Sequence, residues 1–66
     1  MTFASLLSAF IGRTVEVVVP GALFDGKLTA VQDTLIQVEE PPTVYGGPPI
    51  TVSIPSISID LVRVLA

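Results

Sequence analysis

The chain has no cysteine, no histidine and no tryptophan in its 66 residues. Without cysteine no disulfide braces the domain, and without cysteine or histidine there is no ordinary structural zinc site. The same absences remove the commonest nucleophile and the commonest general base, and no serine or threonine has an activating partner in view, so catalysis is not expected. Charge is scarce too: 14% of residues are charged, three basic against six acidic, for a formal net charge of −3. An acidic body repels nucleic acid, and more strongly with each copy added to an assembly. No apolar run approaches the roughly 20 residues of a membrane-spanning helix, so no membrane association is expected. The stretch from Ala4 to Ile11 has no Lys or Arg before it and is broken by serine, so it does not read as an export signal.

What the chain does have is apolar surface, with 50% of its residues hydrophobic. A single domain of this size buries only about 60% of the surface its unfolded chain exposes, which makes for marginal stability. With disulfides and zinc excluded, association with further copies is the remaining way to hide that surface.

The pattern changes period along the chain. Phe3, Leu6, Leu7, Phe10 and Ile11 recur at helical spacing, with Thr2 as N-cap and Gly12 at the left-handed C-terminal position, which predicts a short amphipathic helix over about 3–11. From Thr14 the period is two, and strands are predicted at about 14–19, 23–31, 34–39, 50–54 and 57–65. Pro20-Gly21 and Gln32-Asp33 supply turns, and Pro55-Ser56 a tight connection. Gly26 stands inside the second strand, where a missing side chain lets a short sheet bend sharply. Residues 40–49 carry four of the six prolines and form a long hairpin loop. Within it, Tyr45-Gly46-Gly47-Pro48-Pro49 makes an extended arm with Tyr45 as its amphipathic anchor. The last strand is apolar on both faces, Ile59, Leu61 and Leu65 against Val62 and Val64, more than one small core needs. The excess points to contact between subunits.

A helix followed by five strands, the second bent at a glycine, resembles the Sm-like fold over nearly the whole chain. Phe24-x-Gly26-x-Leu28-x-x-Val31 is similar to the first half of the Sm1 motif. Ile54-Pro55 followed by Ile59 and Val62 resembles the ending of short bacterial Sm-like proteins, including small ones from spore-forming bacteria. The resemblance implies a mainly β, single-domain protein: a short N-terminal α-helix and a five-stranded, strongly bent antiparallel SH3-like or Sm-like barrel. It also implies a homo-oligomeric ring of about five to seven subunits. Strand five of one subunit would pair with strand four of the next through Thr51, Val52, Ile54, Ile59, Leu61, Val62 and Val64. Rings that stack into a tube or fibre would meet through Phe3, Tyr45, Pro48 and Pro49.

RNA-binding relatives hold a base with an aspartate after the Val31-like position, a Met-Asn pair and an Arg-Gly pair. The matching positions here are Gln32, Leu35-Ile36 and Pro55-Ser56. The leading expectation is therefore a structural, non-enzymatic assembly whose partner is itself, without cofactor or metal. The alternative is an RNA-binding ring using Gln32, Asp33, Arg13 and Lys27, disfavoured by the acidic balance. For Arg13, Lys27 and Arg63 the simpler role is a salt bridge to Glu16, Asp25 or Asp60. The expected setting is cytoplasmic, or a spore-associated or extracellular assembly formed without a signal peptide.

Overall fold

The computed structural model describes residues 2–42 and 44–65. It is mainly β. A short helix α1 (Phe3–Leu7) runs into a 3-10 turn at Ser8–Phe10, and strands β1 (Thr14–Val19), β2 (Ala22–Val31), β3 (Leu35–Glu40), β4 (Ile50–Pro55) and β5 (Leu61–Val64) follow. A second 3-10 turn, Ser56–Ser58, separates β4 from β5. All neighbouring strands are antiparallel, in the spatial order β4-β3-β2-β1-β5. The sheet does not close into a barrel: β4 and β5 are its two edges.

Local chemistry accounts for the elements. Thr2 accepts the Ser5 amide at 3.0 Å on its hydroxyl, and Ser5 Oγ accepts the Thr2 amide at 2.9 Å, a reciprocal box that starts α1. The helix stops earlier than the apolar spacing predicts. Ser8 Oγ donates to the Ser5 carbonyl at 2.8 Å, the chain tightens to 3-10 geometry, and Gly12 turns it out at φ +94°. Of the predicted helical stripe, Leu7 alone is buried; Phe10 is half-buried, and Phe3, Leu6 and Ile11 are exposed.

The strands fall within a residue or so of expectation except the last, which begins at Leu61 rather than at position 57. Pro55 and the 3-10 bond from the Ile59 amide to the Ser56 carbonyl at 3.1 Å take up the intervening residues. This turns Ile57 out to 96% exposure.

Val15 and Val17 of β1, Leu28 of β2, Ile36 and Val38 of β3 and Ile54 of β4 form one buried cluster with Leu7. One five-residue helix is too small to cover a flat sheet, so the sheet curls over its own apolar face. Two features of β2 produce the curl. A Cβ on Gly26 would collide with the Glu39 carbonyl oxygen, so only glycine lets the two strands approach there. Further on, Leu28 pairs with Val38 and Ala30 with Gln37, leaving Thr29 as the extra residue of a bulge. The Thr29 hydroxyl donates to the Gln37 carbonyl at 3.2 Å.

Candidate interaction edges

The backbone groups at the two sheet edges follow from the pairing. Ser56 donates its amide to the Thr34 carbonyl at 2.9 Å, in register with Ile36 opposite Ile54 and Val38 opposite Val52. Amide and carbonyl directions alternate along a strand. Ile50, Val52 and Ile54 therefore direct theirs to β3, while Thr51 and Ser53 direct theirs to the open side. At the other edge, Leu65 donates to the Thr14 carbonyl at 2.9 Å, in register with Glu16 opposite Arg63. Leu61 and Arg63 thus serve β1, and Val62 and Val64 present their amides and carbonyls outward. The Asp60 amide, at the entry to β5, is already given to the Val18 carbonyl at 2.8 Å.

Side chains alternate in step with these groups. Val52 and Ile54 turn into the core from β4, whereas Thr51 and Ser53 stand outside. Val62 and Val64 pack on the core from β5, and Leu61 stays 49% exposed. Of the residues expected at an interface, Thr51, Val52 and Ile54 line one edge and Leu61, Val62 and Val64 the other. Ile59 falls before β5 and packs half-buried on the protein's own core.

A groove of about 320 Å³ runs beside the β5 edge, with Phe3, Leu6 and Phe10 on one wall and Leu61, Val62 and Val64 on the other. On the outer face, Val18 sits between Leu23 and Leu61 in register, an apolar patch crossing three strands. Its only sequence signal is the two-faced apolar character of the last strand.

The candidate stacking residues lie far apart. Phe3 borders a second groove with Asp33, Ser56 and Ile57, at the Leu35–Pro55 end of the β3–β4 hairpin. Tyr45, fully exposed, and the exposed Pro48 and Pro49 belong to the loop at the opposite end, where Glu40 pairs with Ile50. Six-residue strands separate those ends by roughly 20 Å. Thr43 of the same loop lies outside the described residues.

The candidate RNA contacts are likewise divided. Gln32 closes the β2–β3 turn, its amide on the Leu35 carbonyl at 2.8 Å, and Asp33 borders the Phe3 groove. Lys27, about five residues or roughly 17 Å up the strand, faces Glu39 across β3 and Thr14 across β1. Arg13 meets that region through its carbonyl, which accepts the Leu28 amide at 2.9 Å. Arg63 Nη1 lies 3.6 Å from Glu16 Oε1, one of the several pairings expected from sequence.

Ser56 Oγ is shut away from solvent beside the Phe3 groove and has no hydrogen-bond partner among the described residues. No group of three or more acidic, His or Cys side chains converges to hold a metal among them. No helix among them is long and apolar enough to cross a membrane. In comparisons with known proteins, the chain matches no family model, no curated protein and no solved structure.

Proposed function

We propose that this protein is a non-enzymatic building block that joins copies of itself edge to edge, as Sm-like proteins do, into a ring with a structural role. Such rings would stack into a tube or fibre through their faces. The observation that carries the reading is an open sheet whose two edges, β4 and β5, both carry backbone groups with no partner among the described residues, beside exposed apolar side chains. An unpaired edge is a template for another strand. Because the two edges differ, the contact runs head to tail, closing into a ring or propagating as a fibre according to its rotation.

The energetics point the same way. Phe3, Leu6, Leu61 and Leu65 are each roughly half exposed around β5. Covering half of such a side chain contributes on the order of 1 kcal/mol. Each edge hydrogen bond adds about 0.5–1.5 kcal/mol. Several of each suffice for a specific contact, repeated at every junction.

Light scattering and negative-stain electron microscopy of the purified chain at micromolar concentration test the proposal. The expected result is a discrete mass several times 6.9 kDa and a disc or stacked-disc image. A compact, well-folded monomer under those conditions overturns it.

A further inference from the structure

The sheet edges also carry a register. Resting on the edge-to-edge reading above, we infer that β4 of one copy runs antiparallel to β5 of the next, with Thr51 opposite Val64 and Ser53 opposite Val62. In this arrangement β5 is shared between two cores.

The argument begins with prolines. Along the open side of β4 the residues whose groups point outward are Thr51 and Ser53, and the same alternation continues to positions 49 and 55. Both of those are proline, which has no amide hydrogen to give. The β4 edge therefore offers two complete donor and acceptor pairs and no more. Among the described residues the β5 edge offers two as well, Val62 and Val64, because the Asp60 amide is already bound to Val18. In an antiparallel ladder, residues that exchange both hydrogen bonds stand directly opposite each other. Among the described residues, one register alone matches two with two. Sliding β4 by two residues either way sets a valine against Pro49 or Pro55 and leaves its partner group unmatched.

That register has a consequence for the side chains. The outward-directed residues of β4 carry solvent-facing side chains, while those of β5 carry core-facing ones. Opposed residues in a ladder share a face. The joint therefore exchanges faces. The outer side chains of β5 and the residue after it follow: Leu61 and Leu65 come to lie opposite the partner's Ile54 and Ile50, on the side of the partner's core, with Arg63, ion-paired to Glu16 of its own β1, between them opposite Val52. Val62 and Val64 pack on their own core, and the apolar residues of the other face, Leu61 and Leu65, cover a neighbour's on either side of Arg63. A parallel joint would keep the faces continuous, and it would leave Leu61 and Leu65 in a row with Thr51 and Ser53, in water.

The chain has no cysteine of its own, so engineered pairs report the register without background. Beside each hydrogen-bonded pair of an antiparallel ladder stands a close, non-bonded pair with Cα atoms about 4.5 Å apart, within disulfide reach. The inferred register makes Val52 with Arg63 and Ile50 with Leu65 such pairs. Under mild oxidation, Val52→Cys/Arg63→Cys and, separately, Ile50→Cys/Leu65→Cys give ladders of covalent multimers on non-reducing gels, collapsing to one band with reductant. Val52→Cys/Leu61→Cys, which reports a two-residue slip, and Thr51→Cys/Arg63→Cys, which reports a parallel joint, stay uncrosslinked. Circular dichroism confirms that each variant is folded, and light scattering before oxidation records assembly. Assembly with crosslinking only in a slip or parallel pair overturns the register and leaves self-association standing. Folded variants and parent that are all monomeric overturn both.

Discussion

Gly26 and Glu39 meet so closely across β2 and β3 that the Glu39 carbonyl oxygen stands where a Cβ on Gly26 would need to be. The obstacle is backbone on the partner strand, not the movable end of a side chain. Gly26→Ala therefore forces the two strands apart at the bend and should destabilise the fold by about 1–3 kcal/mol, the usual range for overfilling a packed site. Urea unfolding followed by circular dichroism measures this. An unchanged midpoint would show that the bend does not need the glycine.

The bend was legible in the sequence because a glycine inside an alternating strand is rare and costly without a reason. The bulge at Thr29 was not, since Leu28-Thr29-Ala30 alternates as smoothly as an unbulged strand and the irregularity follows from pairing with β3. The capped start of α1 was written in Thr2, while the answering bond from Ser5 and the early end of the helix were hidden. The spacing of Phe10 and Ile11 fits a helix, and only the Ser8 hydroxyl bond to Ser5 and the 3-10 tightening exclude them. At the candidate site, the sequence revealed that β5 is apolar on both faces but not which backbone groups are open. That depends on register, which short strands without a distinctive turn leave undetermined. The Pro55-Ser56 connection likewise concealed a full 3-10 turn, which moved the start of β5 and took Ile59 out of the edge.

The curled sheet leaves few residues to hold it, so each counts heavily. Leu28 is fully buried among Val15, Ile36 and their neighbours, and Leu28→Ala should cost about 2–5 kcal/mol. Ile57, equally apolar but 96% exposed on its 3-10 turn, should change stability by no more than about 0.5 kcal/mol on replacement by alanine. Thermal unfolding of the two variants side by side separates them. Similar losses at both sites would mean that Ile57 is covered in the assembled state.

The ion pair between Arg63 and Glu16 is a minor contributor. At 3.6 Å, with the arginine side chain largely in water, it should be worth less than about 1 kcal/mol. Glu16→Gln should thus leave the unfolding midpoint within a few degrees of the parent. Raising sodium chloride from about 50 to about 500 mM should screen the pair with similarly small effect. A loss of assembly in high salt would instead implicate charge at the subunit joint, where the inferred register sets Arg63 beside the partner's Val52.

Proline scanning along β4 separates the fold from the assembly, because adjacent residues send their amides in opposite directions. The Val52 amide belongs to the ladder with β3, so Val52→Pro removes a bond that the sheet itself uses and should unfold the protein. The Ser53 amide points to the open side of an edge strand, a position where proline is accommodated, and its side chain stands outside the core. Ser53→Pro should therefore keep the circular dichroism spectrum of the parent while reducing the particle to a monomer in light scattering, since one of two outward donors is gone. A Ser53→Pro protein that assembles as the parent does would show that copies meet somewhere other than this edge.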